Sequence, residues 1–527
     1  MRDTKDISRQ EIDYLDYDPA NLPSVLDLKK PPFVENAFGQ LEYIAQYVTH
    51  KDLDCKSIAI ERRHIDRDYM EDHSVFYSRS LQSYANYCQR VHFFAIPVAK
   101  LEEALSNLVA AGRNEGAEKF GKKCEAFSNE YYLGFCVIKP LRGCPVGRTV
   151  LRPLGPDAID GRRHFQCTRL YTAHLAGIPL TVRGLAFQQQ DAGVSACATT
   201  ALWSAMQKIR ESEELGNSSP ARITTLAAQY NLPFGRSMPS EGLSIGQLCT
   251  AVQALGVSPN MFSVEDFDLA RDLIFAATDS GIASVLIIQE EGDVNYHAVT
   301  VTGMKLIEPR KGAELTPGLS TIAGDLLALY IHDDRVGPYV RADIVERTVK
   351  TDNGGNDQQR VGLKVKYESN DETKIEIWIL SHILVPMHGK VRLSFADLRL
   401  LASLIIVPTL HVFHNTELPN GDSRPPLITF GSKICLAHQY LVELLFTPNA
   451  LSPEQFDTLR SKILLSRYVG VVRLEAPFMD SIDVVFDTTS TLKNLNCLGI
   501  VPLGKGSVTL QAATFLAEQF ECPVVES

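Results

Sequence analysis

The sequence predicts an α+β fold in which a central domain is flanked by N- and C-terminal α/β regions. Three observations carry that expectation. A strand, helix, strand order begins at Ser57, two amphipathic helices followed by three strands occupy residues 188 to 338, and helices are followed by strands again after residue 430. The chain has 527 residues, 45% hydrophobic and 22% charged, proportions of an ordinary globular protein long enough for roughly three or four domains. The expected division is an N-terminal arm (1–50), an α/β domain (51–185), a central domain (186–345, its sheet extending as far as 390) and a C-terminal α/β region (391–527).

Composition narrows the function. A formal charge of −11 without any dense Lys/Arg block argues against nucleic acid as a partner. The eleven cysteines are odd in number, scattered, and form no C-x-x-C pair, as expected of a reduced chain. The first residues carry no apolar core of a signal peptide, and no uninterrupted apolar run reaches about 18 residues. The expectation is a soluble cytoplasmic protein with no membrane partner.

In order along the chain, Pro19, Pro23, Pro31 and Pro32 break the acidic arm. Ser57 opens a strand that leads into a polar segment, then a helix is predicted over 75–90 and a strand over 91–98. His64, Asp66, Asp68 and His73 fit no standard zinc or calcium spacing and read as a solvated or salt-bridged surface. Strands follow at 132–139 and 149–154, with Cys136 and Cys144 read as structural.

From Gln188 a loop enters a helix. Ser195 is its candidate N-cap, and Ala198, Leu202, Ala205, Met206 and Ile209 make one apolar stripe. Cys197 then lies in the first turn, where free N–H groups and the helix dipole favour a thiolate. A second helix at 241–257 ends at Gly256, 283–289 is a strand, His297 opens the next, and 326–331 is a third that runs into His332, Asp333 and Asp334. Taken singly, Cys197 reads as an inert helix cysteine, His297 as a strand-end histidine and Asp333 as a turn aspartate. Their order together reads as a nucleophile, its base and the base's orienting carboxylate.

That arrangement resembles the papain-like cysteine peptidases, and within them the peptidases that process bacteriocin leaders after a double glycine. The likeness spans about residues 188 to 338. It rests on the Gln-containing loop before Cys197, on Leu202 and Met206, on Gly242-Leu-Ser, on His297-x-Val-x-Val-x-Gly303, and on Ile331-His-Asp333 followed by Gly337. The chain departs from the family pattern where Ala198 and Thr199 replace the usual Gly and Pro. The family's oxyanion glutamine, six residues before the cysteine, is Asp191 here, so Gln190, seven before, takes that role only if the loop carries an extra residue. The family's usual membrane exporter has no counterpart, and bacteriocin export is not implied.

The resemblance and the residue chemistry imply a papain-like domain in the middle of the chain. It would act as a thiol hydrolase on a peptide or isopeptide bond through Cys197, His297 and Asp333, with the Cys197 N–H and Gln190 as oxyanion donors. This chemistry needs no metal and no organic cofactor, and its partner is a protein or peptide substrate. The alternatives are another acyl transfer on the same triad, deamidation or transglutamination, and an inactive papain-fold binding module.

Beyond residue 338 strands are predicted at 339–349 and 374–385 around a Gly- and Asn-rich tip at 351–357, and a helix at 394–406 before Pro408. Helices at 433–446 and 452–464 and strands at 468–474 and 482–486 follow. Gly499 to Gly506 imitates a phosphate-binding loop, but Gly506 stands where Ser or Thr is required and Pro502 interrupts the leading strand. His411 and His414 lack the glutamate of a metalloprotease and read as surface histidines on a loop.

Overall fold

The computed structural model describes residues 12–29, 38–156, 162–191, 196–216, 218–230, 242–290, 295–307, 318–349, 358–368, 373–415, 427–447, 451–476, 479–490 and 496–525. Ser195 and the 351–357 tip lie outside the described residues. The fold is mixed α+β, with three larger sheets and a separate hairpin.

The first sheet is antiparallel, in the order β1 (Ile12–Asp16), β2 (Ser57–His64), β3 (Cys88–Phe94), β4 (Tyr132–Ile138) and β5 (Val146–Leu151). The arm thus supplies the edge strand β1, and then α1 (Leu22–Val25) and α2 (Gly39–Tyr47). The helix expected at 75–90 lies earlier, as α3 (Arg67–Val75). The reason is Asp66, whose Oδ1 accepts from Asp68 N and Tyr69 N and so starts the helix there. Leu81, in the expected helix, is fully exposed and gives that stretch no apolar face to bury. The acidic segment is salt-bridged rather than solvated: Asp66 and Asp68 are buried, and Arg148 pairs with Asp66 at 2.6 Å. Helices α4 (Val98–Asn114) and α5 (Ala117–Tyr131) complete this region, burying Leu101, Leu105, Leu108 and Phe127.

Strand β6 (Arg162–His164) and the hairpin β7 (Arg169–Leu175) and β8 (Ile178–Gly184) lead into α6 (Cys197–Ser212), α7 (Pro220–Ala227) and α8 (Ile245–Ala254). The central sheet follows. It contains β9 (Val257–Ser263), then, after α9 (Phe267–Asp279), β10 (Val285–Glu290) and β11 (Tyr296–Leu306). After the short β12 (Gly318–Thr321) come β13 (Leu326–Asp333), β14 (Gly337–Val349), β15 (Gln358–Glu368) and β16 (Thr373–His388). The order β10-β11-β13-β14-β15-β16 closes because β16 pairs back onto β10, giving a six-stranded antiparallel barrel, with β9 added on β16 and β6 on β11. Inward residues such as Val299, Val301, Leu329, Ile331, Leu363 and Leu380 fill one core. Strand β15 has no counterpart in the sequence reading.

The last sheet runs β12, β17 (Leu427–Leu436), β18 (Tyr468–Ala476), β19 (Met479–Asp487), β20 (Cys497–Leu503), parallel only between β12 and β17. Its helices are α10 (Phe395–Asn415), α11 (Ala437–Phe446), α12 (Pro453–Lys462) and α13 (Ser507–Phe520). Three expectations are corrected here. Helix α10 continues through Pro408, because Ile405, Ile406, Val412 and Phe413 on both sides are buried and their packing outweighs the lost hydrogen bond. His411 therefore sits on a helix, stacked on Phe515 at 5.7 Å. Residues 433–436, expected in a helix, belong to β17, where Ile428, Phe430, Ile434 and Leu436 are buried with period two. Strand β20 runs through Pro502, as an edge strand permits. Among the described helices, the Phe395–Phe413 window alone is long and apolar enough to cross a membrane, at hydropathy 1.6 and 39% buried. Its buried side packs on α13, β17 and α9.

Candidate active site

Helix α6 begins at Cys197 itself, with Ala196 as an extended N-cap that offers no side-chain bond. The cap expected of Ser195 falls outside the described residues. Cys197 thus takes the first helical position, where its backbone N–H has no partner within the helix. The helix is held by its apolar burial, including Leu202, Trp203 and Met206, and by Thr300 Oγ1 of β11, which donates to Ala201 O at 2.7 Å. That bond couples the cysteine's helix to the histidine's strand.

His297 is the second residue of β11 and is 6% exposed. Cys197 lines the same cleft as His297 and is among the groups that support the protonated ring, while Nε2 lies 2.9 Å from Asp333 Oδ1, leaving Nδ1 for the thiol. Trp378 of β16 packs against the imidazole with ring centres 5.7 Å apart, and Arg335 lies over the same indole at 4.3 Å. Burial works to strip the ring of its proton. The charge and hydrogen bond of Asp333, with the bond to Cys197 and the charge of Asp334, outweigh burial and push His297 up to about 10.

Asp333 closes β13, and Asp334 begins the turn after it. Burial would raise the Asp333 carboxyl, but His297, Arg335 and the Arg335 N–H (3.0 Å from Oδ1) hold it well below the usual carboxylate range. Asp333 faces the histidine as expected. Asp334 is not turned away, however. Its Oδ1 is 3.5 Å from the same Nε2, because strand alternation stops where the turn begins. Burial, partly offset by His297, pushes Asp334 up to about 7. The donor atoms of His297, Asp333 and Asp334 fall within 4.8 Å of one another, a spacing a cation can use. Asp333 Oδ1 already accepts from Nε2 and from Arg335, so the set reads as a hydrogen-bonded relay.

The three glutamines before Asp191 separate. Gln188 is buried beneath α6, and Gln189 bonds β5, its N to Val146 O (3.1 Å) and its Oε1 from Val146 N (3.3 Å). Gln190 is half-buried and is not among the residues lining the cleft at Cys197. Asp191 is buried with Lys139 Nζ at 3.4 Å, so the family's glutamine position is committed to an ion pair. The structure brings Cys197, His297 and Asp333 together, and Gln190 does not line the cleft at Cys197.

Cys197 and His297 open onto a cleft of about 500 Å³ walled by Leu243, Ile245, Leu248 and Ile287. Its rim includes the N-terminus of α8, fixed there by the reciprocal bonds of Ser244 and Gln247. His382 of β16 also lines it, a residue that no spacing in the sequence relates to Cys197. Comparison with protein-family models gives no match along the chain, and comparison with curated proteins gives none either.

Proposed function

We propose that the protein is a thiol hydrolase with a papain-like catalytic arrangement, cleaving a peptide or isopeptide bond through Cys197, His297 and Asp333. The observation that carries this reading is a buried imidazole with Cys197 on one side and a carboxylate on the other, at the wall of a cleft. In the first half-reaction Sγ attacks the substrate carbonyl carbon and the oxygen becomes an oxyanion, met by the unpaired N–H of Cys197. The imidazolium gives its proton to the departing amine, and a thioester remains. Water, losing a proton to His297, then attacks the thioester; the acid leaves, and the proton returns to the thiolate–imidazole pair. The eleven cysteines, all free thiols, suit a reducing, cytoplasmic setting.

A second reading is a papain-fold binding module, favoured by one observation: Gln190 does not line the cleft, so a second oxyanion donor is not supplied by that side chain. A labelled thiol-directed probe followed by peptide mapping separates the two. The hydrolase reading expects Cys197 to be modified at about pH 6, where an ordinary thiol near 8.5 is almost wholly protonated, faster than Cys249 or Cys435 and much more slowly in His297→Ala. If Cys197 reacts no faster than the other cysteines and His297→Ala changes nothing, the binding-module reading replaces it.

A further inference from the structure

Between α6, β11 and the end of β13, beside Asp334, lies a small cavity of about 10 Å³, roughly the room of one water. Gln188, Thr200, Ser204, His332 and Asp334 line it. Four buried polar atoms there have no hydrogen-bond partner among the described residues: Gln188 Nε2, His332 Nε2 and both carboxyl oxygens of Asp334. Unpaired groups of this kind cost folding free energy unless something satisfies them.

We infer that this cavity binds one ordered water through Gln188, His332 and Asp334, and that Asp334 is a positioning residue for the imidazole of His297. The inference rests on the catalytic reading of His297. The proton inventory matches a water. The Ser204 hydroxyl donates to Ala186 O at 2.7 Å, so it accepts from His332 Nδ1 at 3.1 Å. Burial pushes His332 down to about 3, which leaves a neutral ring whose Nε2 is a bare acceptor. Gln188 Nε2 brings two N–H donors and Asp334 brings acceptors. One water donating to His332 and to Asp334, and accepting from Gln188, satisfies all three groups.

Asp334 is the acid that joins this water to the triad, since its Oδ1 also stands 3.5 Å from His297 Nε2. The charged or titratable groups facing it are His297 from β11, His332 and Asp333 from β13, and Arg335 from the turn. From α2 the Gln40 amide meets the Asp334 backbone oxygen, and the buried Tyr43 faces Asp333. With Asp334 neutral, the imidazolium sees one carboxylate. Once Asp334 ionises it sees two and holds its proton to higher pH.

Asp334→Asn keeps the shape and removes the acid. In ring-labelled protein, nuclear magnetic resonance should show His297 losing its proton about one pH unit earlier in the variant, with the alkaline limb of Cys197-dependent turnover moving equally. A His297 titration unchanged by Asp334→Asn overturns the positioning role while leaving the triad intact. Wild-type Cys197 without enhanced alkylation overturns the catalytic reading instead. For the water, infrared spectra of the wild type should show a neutral-carboxyl band lost near pH 7 and absent from Asp334→Asn. Gln188→Leu, which removes the donor relayed to Asp334, should carry the loss of that band to higher pH; a band that does not move overturns the water.

Discussion

The two flanking sheets both bury ion pairs, yet they stand in different relations to the cleft. The N-terminal region holds two of its loops. Phe187 forms a bridge with Thr149, Gln189 bonds Val146, and Lys139 pairs with Asp191, so the approach to Cys197 is laid along β5 as an extra strand. From α2, Gln40 Nε2 donates to Asp334 O (3.2 Å) and Arg335 O (3.1 Å), and Tyr43 packs against Gly337 so closely that a Cβ there would meet its ring at 2.1 Å. The C-terminal region instead braces the far side: Arg399 pairs with Asp272 of α9 at 2.6 Å, Ile434 N bonds Ser280, and Tyr468 bonds Glu213 after the end of α6. No described residue beyond 388 lines the cleft. The difference teaches that the N-terminal sheet is part of the site's scaffold, and the C-terminal sheet supports the barrel that carries it.

The largest expected effect compares one buried ion pair from each sheet. Lys139→Met takes the cation from Asp191, and Arg473→Met takes it from Asp483, which Arg473 holds with two bonds of 2.7 and 2.8 Å. Leaving a buried charge without its partner costs about 3–5 kcal/mol, so urea unfolding should show both variants strongly destabilised. Only Lys139→Met should also slow Cys197 alkylation in the protein that remains folded. Equal slowing by Arg473→Met would erase the distinction between the two regions.

A smaller effect separates the site from the N-terminal sheet by pH. His297, raised to about 10 from an ordinary 6.5, contributes stability that is full below about 6.5 and lost as pH rises through 10. Asp334, raised to about 7, acts in the same sense: its contribution is full below about 3.9 and lost as pH rises through 7. Glu61, between Arg90 (2.5 Å) and His92 (3.1 Å), works the other way. Burial would raise it, but these partners hold it down to about 2, so its contribution is present above the ordinary carboxylate range and lost only in acid. Amide exchange protection, corrected for intrinsic rates, should therefore fall by about 1–2 kcal/mol in β11 and β13 between pH 6.5 and 8, below the range where buried thiols of the N-terminal sheet begin to respond, and hold steady in β2 and β3. An alkaline loss shared by both sheets would contradict this assignment.

What the sequence made legible follows from how local each cause is. The stripe on α6, the apolar spacing and Gly256 stop of α8, and the runs that form β10, β11 and β13 are written within a dozen residues each, and they carried Cys197, His297 and Asp333 into view. Barrel closure is not local: it depends on β16 meeting β10 across about ninety residues, and β15 between them was not seen. Pro408 and Pro502 read as breaks because nothing nearby shows that one is flanked by core residues and the other lies on an edge strand. The same holds for Gln188 and Asp334. Gln190 matches the family only if the loop carries an extra residue, and which of three consecutive glutamines turns inward is decided by β5, forty residues earlier.

The smallest effect tests the arm. Gln40 is the one side chain of α2 shown bonding the turn that follows Asp333 and begins with Asp334, and it does so through two backbone carbonyls. Gln40→Ala removes both bonds at a half-exposed position where water can replace them, so the loss of stability should be about 0.5–1.5 kcal/mol. The turn sets where Asp333 meets Nε2, and a looser turn weakens the support of the imidazolium. Cys197 alkylation at about pH 6 should therefore fall several-fold, more than so small a change in stability would produce in a protein that stays folded. Alanine at Lys56, paired with Asp54 on the exposed N-terminal surface, is the control and should leave alkylation unchanged. If Gln40→Ala and Lys56→Ala behave alike, α2 is packing alone, and the N-terminal hold on the site is confined to the loop before Cys197.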